Sequence, residues 1–197
     1  QAEVARTTPD AATRDAALDQ VIVASDRMAD LLDQLLTLAR LEGGEAVTAP
    51  ASVALDQVAR SVIADVASSE YGREPDIELD AAVNTRVRGN ATLLGILVRN
   101  LVINALRHGA QPVVVHVARE EGRVTLRVRD AGAGVSPAEL ERLGDRFFRG
   151  DSAAGGGSGL GLSIVRRIAE LHRGTVAFSP RPEGRGFAVL VSLPAAD

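Results

Sequence analysis

A chain of 197 residues with 46% hydrophobic content is long enough to bury one or two cores. It has no cysteine, which excludes disulfides and thiolate metal sites, and its net charge of −4 argues against nucleic acid as a partner. All 22 basic residues are arginine, so any side-chain contact to phosphate falls to arginine, histidine or a polar group.

No apolar run is long enough to span a bilayer and no signal peptide is visible, so the chain reads as soluble as given. Gln1–Arg6 reads as the tail of a helix, and Thr7-Thr8-Pro9-Asp10 as turn chemistry. A long helix is expected from about Ala11 to Leu41. Leu18, Val21, Ser25, Met28, Leu32, Leu35 and Ala39 sit at heptad a/d spacing, and Ile22, Leu31, Leu36 and Leu38 widen the stripe. Such a stripe calls for a missing helix, a partner chain or both; the alternative is a helix folded back on the main domain. Residues 1–43 thus form a helical segment, ended by Glu42-Gly43-Gly44, 44–50 a linker, and 51–197 a compact α/β domain.

In that domain, a short strand at Ser52–Leu55 leads into a helix over Val53–Ser69. Ile77–Leu79 and Arg86–Arg88 read as strands, and Thr92–His108 as a helix. Val113–Ala118 and Arg123–Arg129 alternate as a β-hairpin joined by Arg119-Glu120-Glu121-Gly122. Pro137–Phe148 reads as a short helix with proline near its start, and Gly150–Ser158 as a Gly/Ala/Ser lid. Leu160–His172 reads as a helix, with His172 at its end where its charge would favour the dipole, and Thr175–Ser179 and Phe187–Leu193 as a closing antiparallel pair.

Four places carry chemistry. The stretch GGGSGLGLSIV (Gly155–Val165) sets a glycine-rich loop before a helix, whose first turn near Leu160–Ser163 has unpaired N–H groups and the positive dipole end. It lacks the Lys-Ser or Lys-Thr of a Walker loop, and reads as a phosphate site or as a flexible linker before an amphipathic helix. The helix Thr92–His108 is apolar almost all round, which predicts burial. Yet Asn100, Asn104 and Arg107 share a stripe, with His108 beside them. Buried polar groups cost about 1–3 kcal/mol each if unpaired. The cluster therefore lines a polar cavity or forms a structural amide network. The carbonyl oxygen of Asn104 suits Mg²⁺, and Arg107 suits phosphate. Asp130 follows the inward parity of Val124, Leu126 and Val128, so its carboxylate points to the core and suits the amino group of adenine; alternatively it caps its own turn. Arg146-Phe147-Phe148-Arg149 can anchor the root of a lid with an arginine turned to phosphate, or supply core rings and solvated arginines.

The ordered set Asn100-Leu-Val-Ile-Asn104-Ala-Leu-Arg107-His108, Asp130-Ala-Gly132-Ala-Gly134, Arg146-Phe147-Phe148-Arg149 and Gly157-Ser158-Gly159-Leu160-Gly161-Leu162 resembles the N, G1, F and G2 boxes of the sensor histidine kinase ATP-binding domain, of the Bergerat-fold superfamily. The resemblance covers about Ala51–Leu193. Gln34–Glu42 looks like the end of the second helix of that family's dimerisation and phosphoacceptor hairpin. The resemblance implies an α/β sandwich (a mixed sheet covered on one side by helices) that binds ATP with Mg²⁺. By motif position, Asn104 would be the Mg²⁺ ligand with Asn100 as companion, Arg107 a phosphate contact, and His108 a neighbour of the nucleoside. Asp130 would accept the adenine amino group over Gly132 and Gly134, and Gly157, Gly159 and Gly161 would be hinges facing phosphate. Phe148, Arg149, Ser158, Leu160 and Leu162 complete the expected nucleotide contacts.

The resemblance further implies γ-phosphate donation to a histidine of the dimerisation domain, a homodimer through the hairpin, relay to an aspartate on a response regulator receiver domain, and a place in the cytoplasmic portion of an inner-membrane sensor. The family's acceptor histidine lies on the first hairpin helix, whereas the histidines here are His108, His116 and His172. The chain is therefore expected to bind ATP without phosphorylating itself. ATP hydrolases of the superfamily carry a glutamate base where Asn100 stands, and a carboxamide cannot take a proton from water. A non-catalytic scaffold is the other alternative.

Overall fold

A computed structural model describes residues 10–43, 51–68, 75–150, 158–180 and 186–196. The chain divides into two compact units, Gln1–Leu38 and Ala39–Asp197. Helix α1, Ala11–Glu42, runs through the first unit and ends in the second. Asp10 accepts the Thr13 N–H at 3.0 Å, the reach of an N-cap side chain. Ile22, Met28, Leu32 and Leu36 are each more than half exposed, so much of the apolar stripe read from the sequence is uncovered among the described residues, although Leu38 near its end is buried. The last turn differs: Leu41 is fully buried, and the helix closes where Gly43 N–H bonds Ala39 O at 2.9 Å.

In the second unit the order is β1 (Ala51–Ala54), α2 (Leu55–Ser68), β2 (Ile77–Ala81), β3 (Arg86–Gly89), α3 (Ala91–His108), β4 (Val113–Glu120), β5 (Arg123–Arg129), α4 (Pro137–Arg142), α5 (Gly161–Leu171), β6 (Thr175–Pro180) and β7 (Phe187–Pro194). The main sheet has the order β2-β4-β5-β7-β6, with β2 parallel to β4 and the other pairs antiparallel. A separate antiparallel pair joins β1 to β3. Strand parity explains the layering. Val113, Val115, Val117, Val124, Leu126, Val128, Val189, Val191 and Leu193 are buried, and α2, α3 and α5 pack along the sheet. Most alternate positions, among them His116 and Arg127, stay partly or fully exposed; Ala188 is buried as well. This is the mixed sheet with helices on one side that the motifs implied.

Four expectations are corrected. The hairpin loop contains only Glu121 and Gly122, both with positive φ, because β4 continues to Glu120. Helix α4 ends at Arg142 instead of continuing to Phe148. Leu143 leaves helical angles with ψ 126, and Gly144 and Phe147 take φ of +93 and +62, which no α-helix accommodates. Helix α3 is not buried all round: Leu93, Leu94, Leu97, Val98, Leu101 and Val102 are inside, while Ile96, Ile103 and Leu106 are half-buried. His172 does not offer a charge to the end of α5. Its Nδ1–H donates to Ile168 O at 2.7 Å, and its Nε2 accepts the Asn90 N–H at 3.1 Å, so the buried ring is the neutral tautomer. Asn90 is in turn the N-cap of α3, its side chain accepting from Thr92 N and Leu93 N. The end of one site helix thus fixes the start of the other.

Candidate functional site

Helix α3 is the wall on which the site is built, and three other segments meet it along its C-terminal half. The first meeting is at Asn100. Its Nδ2 donates to Ile96 O at 2.8 Å, which fixes the amide and turns Oδ1 toward Gly161. A side-chain carbon on Gly161 would stand 3.1 Å from that oxygen, so the glycine lets α5 begin close against Asn100. The N-cap of α5, Leu160, makes no side-chain capping bond. Leu160 N–H is held by Ser158 Oγ at 3.1 Å, and Ser163 Oγ donates back to Leu160 O at 2.8 Å. The first-turn N–H groups after Leu160 are therefore left to face an acceptor, with the dipole favouring an anion. Leu160 itself is fully buried, so only its backbone can serve a ligand. Leu162 is half-buried in the same turn.

The second meeting is at the end of α3. Asn104 follows Asn100 by one turn and is half-buried, while Arg107 and His108 are exposed. Partial burial, then the charges of Arg107 and Arg149, push the His108 imidazole below its ordinary value. That effect places Arg149, from the turn after α4, within electrostatic range of the α3 end. Three groups that carry or can carry positive charge converge there, which suits a polyanion. Phe147 N–H bonds Gly159 O at 3.0 Å and so ties this turn to the approach of α5. Gly159 has φ +73, and a side chain on it would stand 2.7 Å from the Phe147 carbonyl carbon. Only glycine serves at such a position. Phe148 is half-buried under the Arg142 guanidinium, 4.4 Å from the ring centre. Phe147 is 62% exposed, which corrects the expectation of a core ring.

The third meeting is at Asp130, 5% exposed at the end of β5. Its N–H still bonds Phe187 O at 3.1 Å, so strand geometry persists and the side chain keeps the inward parity. Its Oδ1 also accepts the Gly132 N–H at 2.8 Å. The two sequence readings of this residue, inward carboxylate and turn cap, both hold. Ala131 N–H bonds Ala110 O at 2.8 Å, docking this turn on the loop after α3. Gly109 faces the Asp130 side chain so closely that an added carbon would overlap it. Gly134 rests on the Gly186 carbonyl, 3.1 Å from where its side chain would begin.

Thus Asn100, Asn104, Arg107, His108, Asp130, Gly132, Gly134, Phe148, Arg149, Ser158, Gly159, Leu160, Gly161 and Leu162 fall on segments that adjoin α3 or one another. Gly157 and most of the lid lie outside the described residues. Sequence reasoning misses Gly109 and Gly186, whose signal is only a glycine after a helix and another before a strand. It also misses the His172–Asn90 bond, which joins positions far apart in sequence.

Residues 89–197 match the family model described as histidine kinase-, DNA gyrase B-, and HSP90-like ATPase. The chain is 41% identical over 194 residues to the sensor protein QseC of Salmonella typhimurium, covering 98% of this chain and 42% of that protein. It is 34% identical over 182 residues to the sensor-like histidine kinase SenX3 of Mycobacterium tuberculosis, covering 90% and 44%. Of solved structures, the cytoplasmic segment of histidine kinase QseC aligns with a TM-score of 0.58 at 31% identity, over 87% of this chain and 95% of that one. The mycobacterial sensor histidine kinase MprB aligns with a TM-score of 0.62 at 29% identity, over 74% and 97%. The chain spans less than half the length of these curated relatives, and no described helix is long and apolar enough to cross a membrane. With the family model covering more than half of its length, the chain belongs to the histidine kinase-, DNA gyrase B-, and HSP90-like ATPase family, on its sensor histidine kinase branch.

Proposed function

We propose that this chain is the ATP-binding catalytic core of a two-component sensor kinase, passing the γ-phosphoryl group of ATP to a histidine on a dimerisation helix. The observation that carries the reading is the convergence on α3: an uncapped helix start at Asn100, a cationic cluster at His108 and a buried carboxylate at Gly109. The uncapped helix start and the cationic cluster suit polyphosphate, and the buried carboxylate suits an amino-bearing base.

In this reading Asp130 accepts the adenine amino group, with Gly132 and Gly134 shaping the floor. Arg107, Arg149 and the first-turn N–H groups of α5 take the phosphates, with Gly157 and Gly159 as hinges. Among the described residues no cluster of three His, Cys, Asp or Glu could hold a metal alone. A cation here would rest on amide oxygens and phosphates, which is the habit of Mg²⁺. Asn100 fits, because its Nδ2 is spent on Ile96 O and its hard Oδ1 is left facing Gly161; Asn104 lies one turn further on the same face. Bound Mg²⁺ would neutralise charge on the phosphates. The side chains orient and neutralise, which dominates phosphoryl transfer. The bond from γ-phosphorus to the bridging oxygen breaks, a bond to an imidazole nitrogen forms, and ADP leaves. Asn100 cannot act as a base for water, which supports transfer over hydrolysis.

The accepting imidazole comes from another segment. His172 is spent on Ile168 O and Asn90 N, His116 is on the sheet paired with Asp80 at 2.9 Å, and His108 is in the site. The exposed stripe of α1 supports dimerisation with a second copy, and relay to an aspartate of a receiver domain would follow. The QseC structure that aligns with this chain is a cytoplasmic segment, which supports a place for this chain on the cytoplasmic side of a membrane sensor. Calorimetric titration of ATP tests the reading. Binding in the micromolar range that requires Mg²⁺, and loses that requirement in Asn104→Ala, is expected. A flat titration at millimolar ATP would overturn it.

A further inference from the structure

The last turn of α1 belongs to the second unit, and two arginines grip it there. A helix C-terminus presents carbonyls without helical partners and the negative end of the dipole, so it favours cations. Arg167, on α5, donates from Nη2 to Leu41 O at 3.4 Å, while its Nη1 reaches Glu170 Oε2 at 3.4 Å. Its Nε is buried with no partner among the described residues, while the side chain as a whole is half-buried and its two terminal nitrogens make the contacts. Arg146 pairs with the carboxylate of Glu42, the last residue of the helix. Leu41, whose carbonyl takes the first of these contacts, is 1% exposed.

Both arginines sit on segments that meet at the site. Arg146 directly precedes Phe147, whose left-handed backbone and N–H bond to Gly159 O fix the approach to α5. Arg167 stands on α5 itself, whose first residue faces Asn100. A shift of the α1 end would be felt at the Phe147–Gly159 junction from one side and along the α5 axis from the other. Neither arginine is needed to explain the core; Arg146 opens the Arg146–Arg149 motif, whereas no motif marks Arg167.

We propose that Arg146 and Arg167 are positioning residues that clamp the C-terminal turn of α1, so that the placement of this turn and nucleotide affinity are coupled. Coupling is reciprocal by necessity: if the clamp strengthens nucleotide binding, bound nucleotide strengthens the clamp by the same factor. The inference rests on the ATP reading above, because it uses Mg²⁺-ATP as the ligand.

The test is a charge-swap cycle on the full chain, with Glu42→Arg, Arg146→Glu and the double variant, read by the Kd of Mg²⁺-ATP. The pair is partly solvated, so each single swap should weaken binding about 2- to 5-fold, the range of an exposed ion pair. The double variant should recover affinity to near wild type. Independently, saturating ATP should slow amide exchange at Ala39–Gly43 in wild type and less so in either single variant. Should a swap lower the melting temperature, Glu42→Gln with Arg146→Gln replaces it, and the two losses should then not add. A wild type that binds no ATP overturns the proposed function and this inference together. A wild type that binds, with single variants that match it or a double variant that fails to recover, overturns the clamp alone.

Discussion

Helices α1 and α3 are built from the same leucine-rich vocabulary and have opposite surroundings. Helix α3 buries Leu93, Leu94, Leu97, Val98, Leu101 and Val102 within its own unit, and can then carry Asn100 and Asn104 on its remaining stripe. Helix α1 shows Leu18, Ile22, Met28, Leu32, Leu35 and Leu36 to solvent over most of its length. Burying one such side chain is worth about 1.5–3 kcal/mol. Helix α3 has collected that stabilisation within its own chain, whereas α1 has it still to gain. An apolar stripe in a sequence therefore states a demand for cover, and only the fold says whether the same chain meets it.

The largest expected effect separates the two helices directly. Leu97→Ala opens a cavity at a position with no exposure and should cost roughly 2–5 kcal/mol in denaturant unfolding. Leu32→Ala, at 55% exposure, should leave the unfolding free energy of dilute protein within about 0.5 kcal/mol of wild type. The same change should weaken self-association in sedimentation at high concentration. Equal costs at the two sites would break the comparison.

A second prediction concerns what α3 supports beyond its own packing. Asp130→Asn keeps the size of the side chain beside Gly109 but replaces an acceptor with a group that can present hydrogens to the adenine amino group. Hydrogen bonds to charged groups contribute about 1.5–3 kcal/mol, so affinity for ATP should fall by at least about tenfold with the fold intact by circular dichroism. An unchanged Kd would mean that the base is held elsewhere.

The parts of this site that are legible in the sequence are those that a period can report. Alternation along Arg123–Arg129 places Asp130 on the inner face, and the 3.6-residue repeat puts Asn100 and Asn104 on one stripe of α3. Where a distant residue decides, the sequence is silent. Helix α4 reads six residues too long because the chain leaves it at Leu143, and the turn that follows is tied by Phe147 N–H to Gly159 O, across the segment that separates them. His172 looks like a charged helix end because its partner Asn90 is remote in sequence. Gly109 is specified by the space that Asp130 leaves it and Gly186 by its φ of +100, which no local pattern records.

The smallest expected effect lies at the exposed end of α3 and has a definite sign. Partial burial, then Arg107 and Arg149, hold His108 below the ordinary 6.5, so the unfolded chain takes up a proton here before the folded one does. Above about pH 6.5 both states are neutral at this ring and it contributes nothing to the pH dependence. As pH falls through 6.5 toward the lower folded value, the unfolded state binds more protons and stability declines. Below the folded value the loss is complete and constant. His108→Gln should remove this component, leaving a flatter unfolding profile below about pH 6.5. Bound ATP should act in the opposite direction, because its phosphates offset the charges of Arg107 and Arg149 and favour the imidazolium. The wild-type affinity for ATP should therefore rise more on mild acidification than that of His108→Gln. Parallel affinity profiles for the two proteins would place His108 outside the field of the phosphates and confine its role to the packing of the α3 end.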